Sequence, residues 1–181
     1  EVGRIIVDID KGEAFKLYGE IGFMRGDATY GNGFKGAVDA NFAGFGMEAT
    51  ALFGTVDSYR YFYSDALVTS AVGIPVGPIS LYGFGGGIYY HMRQSVPENS
   101  SESTIGRSIS GICYTPDKGA GLGLKSSVKL GLTGNANTFN GEVEMGVDFN
   151  TGGGINKIAF RGNAYFATNN FSCGALEILE N

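Results

Sequence analysis

The chain has 181 residues, enough for one domain or a closely joined pair with a substantial core, and its net charge of −5 speaks against a nucleic-acid groove, which needs a basic stripe. Glycine, at 31 residues, far exceeds its usual share of about 7%, yet no Gly-X-Y period runs through it, so a collagen helix is excluded. No run of about 18 apolar residues marks a transmembrane helix, and no signal-peptide pattern is present; beginning at Glu1, the chain reads as a mature product or a piece of a longer protein.

Taken in order, the chain alternates apolar and polar residues with a period of two, the spacing that sends successive side chains to opposite faces of a strand. Arg4 to Asp10 is a short strand closed by a Lys11-Gly12 turn. Phe15, Leu17, Gly19, Ile21 and Phe23 line one face of the next strand, and Arg25 to Gly33 reads as a polar loop. Its Arg25-Gly26-Asp27 tripeptide, displayed by some adhesive proteins, is expected to be an ordinary turn. Phe34 to Phe42 and Phe45 to Phe53 form a hairpin about Ala43-Gly44. An aromatic strand follows through Tyr59, Tyr61 and Tyr63, and Tyr89 and Tyr90 recur later, so these five tyrosines are the candidate lining of a binding groove. Cross-strand packing is the plainer expectation for them.

Val72 to Pro78 contains two prolines and is expected to be a connector or an edge, since proline donates no ladder hydrogen bond. The Gly85-Gly86-Gly87 run lacks the Lys-Ser/Thr of a phosphate loop and is expected to permit a bulge or close backbone contact. His91 is the only histidine and has no partner pattern for catalysis. Arg93 to Thr104 reads as a mobile loop, Ile105 to Tyr114 as a strand, and Phe171 to Leu179 as a last strand or the lead into a further domain. Asn99 and Asn170 fit glycosylation sequons. Cys113 and Cys173 are a candidate disulfide; two buried thiols are the alternative. No metal-ligand spacing and no cofactor motif occurs.

The strongest pattern runs from Leu122 to Thr168: three strands with an apolar and a polar face. The polar face carries Lys125 and Lys129, then Glu142, Glu144 and Asp148, then Lys157 and Arg161, so charge alternates strand by strand. A tight turn at Gly152-Gly153-Gly154 predicts Asp148 opposite Lys157 and Glu144 opposite Arg161. The whole chain therefore predicts an all-β fold. It is a single domain over residues 1–181, a large antiparallel sheet of about ten long amphipathic strands, sandwich or barrel-like.

The segments Leu81–Met92, Tyr114–Lys125 and Phe139–Asn150 resemble parts of very long, uncharacterised proteins of Bacteroidota-type bacteria. The resemblance implies a region of a large envelope or secreted protein, and it carries over no functional residue.

These readings predict a non-catalytic structural or interaction module of an extracellular or cell-surface assembly. Its partner is protein, either further copies or neighbouring domains, without nucleic acid. The apolar face is then expected to pack on a second layer, each buried large side chain contributing about 1.5–3 kcal/mol. One alternative is a small outer-membrane β-barrel, which would make the membrane its partner; phenylalanines at strand ends would be its girdles and the alternating charges its lumen. A further alternative is a carbohydrate-binding sandwich using the tyrosines, with glycan as ligand.

Overall fold

The computed structural model describes residues 3–95 and 112–167. Residues 96–104 of the Arg93–Thr104 stretch, most of Ile105–Tyr114, both sequons, Cys173 and Phe171–Leu179 lie outside the described residues. All regular structure described is β. The strands are β1 (Arg4–Asp10), β2 (Phe15–Asp27), β3 (Gly31–Phe42), β4 (Phe45–Val56), β5 (Tyr59–Val76), β6 (Ile79–Tyr90), β7 (Met92–Ser95), β8 (Cys113–Pro116), β9 (Leu122–Leu132), β10 (Phe139–Phe149) and β11 (Ile155–Phe166). Nine of them make one sheet in the order β1-β2-β3-β4-β5-β6-β9-β10-β11, and β7 and β8 pair as a separate ribbon. Each neighbour in the large sheet is antiparallel. The sheet is thus an up-and-down meander, interrupted once, where the ribbon is inserted between β6 and β9.

Local chemistry accounts for the turns. Ala43 and Gly44 both have positive φ, 48° and 84°, which matches the twist of the two flanking strands. Asp27 accepts hydrogen bonds from the backbone N–H of Thr29 and Tyr30 at 2.9 and 2.8 Å. The Arg25-Gly26-Asp27 tripeptide is therefore a strand end and turn cap, and the expected loop from Arg25 to Gly33 shrinks to three residues between β2 and β3. Of the connector or edge expected at Val72–Pro78, the edge is what forms: β5 runs to Val76, and Pro75 stands opposite Ser80. Proline is tolerated because β4 stops pairing at Ser70, so β5 has a neighbour on one side only beyond that point.

The register matches the charge pattern. Asp148 stands opposite Lys157, Glu144 opposite Arg161, and Glu142 opposite Lys129. The sheet is rolled around this polar face. A cavity of about 400 Å³ is lined by both Asn41 of β3 and Asn140 of β10, which are five places apart in the strand order. In a flat sheet those strands would be about 24 Å apart at ~4.8 Å per strand. The roll is incomplete: β1 and β11 are edges, and the sheet is not closed into a barrel.

Glycines on the inner face make the roll compatible with large side chains. A Cβ on Gly123 would strike the Tyr89 ring, one on Gly54 the Tyr61 ring, and one on Gly87 the Lys125 stem. Each long side chain lies over a glycine of the next strand and meets a partner two strands away. Gly123→Ala should therefore displace the Tyr89 ring and destabilise the fold by about 1–3 kcal/mol, read as a lower denaturant midpoint with an unchanged slope.

Candidate functional site

The two faces of the sheet are sharply unequal. Cross-strand register places Phe15, Phe42 and Phe45 side by side at one end of the strands. Phe23, Phe34, Phe53, Phe62 and Tyr90 stand side by side at the other. Phe139 and Phe166 are paired at the first end, their rings 5.3 Å apart. Between the rows the same face carries Ile, Val, Leu, Met, Ala, Gly and Ser, with Phe84 and Phe160, and no charged residue.

This uncharged face is the open one. Val143 is 46% exposed, Met145 40%, Phe160 62% and Phe84 66%. The second apolar layer expected for a soluble module is not present among the described residues. Exposed apolar surface spanning several strands is unusual on a soluble monomer and marks contact with protein or membrane.

The sheltered face is polar and aromatic. Tyr61, Tyr63 and Tyr89 are buried there with Met24, Tyr30, Leu52, Met92, Ile112 and Tyr114. The β7–β8 ribbon covers this cluster: Tyr114 stacks on Tyr63 at 4.6 Å and lies 5.1 Å from Tyr89. Burial, reinforced by the Asp65 carboxylate, pushes the Tyr114 phenol up, so it stays protonated as a donor and acceptor. The Tyr61 hydroxyl donates to the Tyr30 carbonyl at 2.5 Å, and the Tyr30 hydroxyl donates to the Tyr114 carbonyl at 3.0 Å. The Tyr89 hydroxyl donates to Asp148.

The five candidate tyrosines do not form one groove. Tyr61, Tyr63 and Tyr89 are packed in the interior, Tyr59 is half-buried, and Tyr90 faces outward beside Phe62. Tyr89 and Tyr90 are adjacent in a strand, so alternation alone separates them. His91 ends β6 with φ 51°, stacks on Tyr90 at 3.9 Å, and has Nδ1 2.9 Å from the Arg60 carbonyl. Cys113 is buried; the expected bridge to Cys173 falls outside the described residues.

One interior feature has only a faint trace in the chain. Lys125 Nζ lies 2.8 Å from Asp65 Oδ2, with side chains 4% and 7% exposed. The pair joins β9 to β5 across Gly87 of β6, and only that glycine hints at it. Lys125 also sits 5.9 Å from the Tyr114 ring centre. Toward β11, the interior becomes a charged trough of about 230 Å³ lined by Lys129, Glu142, Glu144 and Arg161.

Among the described residues no group of three or more His, Cys, Asp or Glu could hold a metal ion. No helix among them is long and apolar enough to cross a membrane, which leaves crossing by strands open. Removing one partner of the buried pair should be costly. Asp65→Asn is expected to destabilise by about 3–5 kcal/mol, because it strands a buried ammonium, while the double change Asp65→Leu with Lys125→Met should recover most of that loss. Guanidinium unfolding of both variants checks this. No protein-family model matches the chain, and no curated protein or solved structure matches it significantly.

Proposed function

We propose that this chain is a membrane-embedded β-sheet of the outer-membrane barrel type, with a structural rather than catalytic role. Its uncharged face meets lipid and its charged face lines the interior. The observation that carries this reading is the open, charge-free belt bounded by two aromatic rows. On β2, β3 and β4 the bounding phenylalanines are eight residues apart: Phe15 and Phe23, Phe34 and Phe42, Phe45 and Phe53. Eight residues span about 27 Å of strand, or about 21 Å along the axis at a tilt of ~40°. That is close to the apolar band of about 25 Å between aromatic girdles in such barrels.

Backbone groups in hydrocarbon must be paired within the protein, so β1 and β11 need strand partners in the bilayer. Nine strands joined in antiparallel succession leave β1 and β11 running the same way. Direct closure would be a parallel seam, and an intervening strand would be antiparallel to both.

A soluble assembly module, in which another protein layer covers the same face, is the competing account. The two predict different environments for that face. The chain contains no tryptophan, so single introduced tryptophans report cleanly. Val38→Trp and Met145→Trp, on the uncharged face, should be quenched by brominated lipid in liposomes, whereas Glu48→Trp, on the opposite face, should not. Equal, weak quenching at all three positions, with protein soluble without detergent, would support the protein-covered module instead. Separately, Met145→Arg should weaken insertion by about 2–4 kcal/mol, the cost of a cation near the bilayer midplane, measured as a lower folded fraction in a urea titration with liposomes.

A further inference from the structure

We infer that the β9–β11 side of the rolled sheet is a path for small inorganic ions from one end of the strands to the other. This goes beyond the membrane-embedded reading and rests on it. Three cavities follow one another from the ribbon end to the far turns, the last of them reaching across from β9 and β10 to β3–β6. The first, about 440 Å³, lies beside the β7–β8 ribbon and is lined by Asp117, Asp148, Lys157 and Arg161 among others. The second is the trough of about 230 Å³, which shares Arg161 with the first. The third, about 400 Å³, shares Lys129 with the second and reaches Gly44 and Asn137 in the turns at the opposite end.

At the ribbon end, the rest of the interior is filled among the described residues. On the β3–β6 side, Tyr61, Tyr63, Tyr89, Met92 and Tyr114 pack on one another and are buried. Among the described residues the ribbon is therefore a partial plug: toward β9–β11 the aromatic contacts are Tyr114 beside Lys125 and Tyr89 over Gly123, and the lining from Lys129 to Arg161 is charged.

The lining chemistry favours ions over neutral or bulky solutes. Glu142 faces Lys129, Glu144 faces Arg161, and Asp148 faces Lys157 across adjacent strands. Acidic groups of β10 thus stand between basic groups of β9 and β11, which offers both a cation and an anion a lined route. Even the smallest cavity holds about seven waters at ~30 Å³ each, room for an ion to keep part of its hydration. The Asp65–Lys125 pair is neutral as a unit and forms part of the wall. Selectivity is then set by the balance between Glu142 and Glu144 on one side and Lys129 and Arg161 on the other.

The test is single-channel recording of the purified full chain in planar lipid bilayers under a KCl gradient, with insertion verified on the same preparation by lipid quenching of Met145→Trp. Discrete conductance steps are expected, with weak selectivity. Glu142→Gln with Glu144→Gln should move the reversal potential toward chloride, and Lys129→Gln with Arg161→Gln should move it toward potassium. Inserted protein without conductance would overturn the path and leave the membrane reading standing. Conductance whose reversal potential ignores both double variants would equally overturn the assignment of this wall. Failure of Met145→Trp to be quenched would remove the membrane reading and the path with it.

Discussion

The structure depends on a sorting of charge: over most of their length, nine strands keep every ionised side chain off one face. In water such a sheet would normally turn that face inward, because burying apolar surface is the main favourable term in folding. Here the sheet rolls the other way. Val143, Phe160 and Phe84 stand open, while Lys125, Asp65 and Asn140 are enclosed. Rolling around the polar face makes sense only if the outer face is itself satisfied by an apolar environment. In the membrane-embedded reading proposed above lipid supplies that, and the spacing of the phenylalanine rows suits its thickness.

Enclosing polar groups sets a second requirement, since each buried donor, acceptor or charge needs a partner. Apart from the Asn140 Oδ1, which has no hydrogen-bond partner, the interior meets it largely by reaching across one strand. Asp65 meets Lys125 over Gly87, and Tyr89 meets Asp148 over Gly123. Glycine allows each long side chain to lie flat on the intervening strand. The high glycine content, which composition alone ties only loosely to long strands, thereby gains a specific purpose at these positions. Such partnerships add little net stability over an apolar core, but a slip by one residue would break them and turn the faces inside out. They therefore secure register more than they add energy.

The inserted ribbon divides this interior. Tyr114 and Met92 bring aromatic and apolar packing to the β3–β6 side, where Leu52, Tyr61 and Tyr63 wait for it. Among the described residues the β9–β11 side receives only Tyr89 over Gly123 and Tyr114 beside Lys125, and its lining from Lys129 to Arg161 stays charged. One short insertion between β6 and β9 thus separates a packed region, which resembles a small soluble core, from an open polar trough.

Much of this was legible in the chain. Period-two alternation placed the strands, and the signs of Glu144, Asp148, Lys157 and Arg161 placed the register of β10 and β11, because opposite charges on facing strands leave one favourable alignment. An edge at Pro75 was legible from proline's missing donor, but the choice between edge strand and connector was not, since it depends on where β4 stops pairing. The tyrosines read as one surface because they cluster in sequence, although alternation already divides Tyr89 from Tyr90. By itself, then, the sequence determined two chemically distinct faces and the pairing between successive strands, which are local properties of a pleated backbone. Only the tertiary structure decided which face lies inside. That choice depends on how far the sheet curls and on contacts such as Asp65 with Lys125, between residues 60 positions apart, which no local pattern encodes.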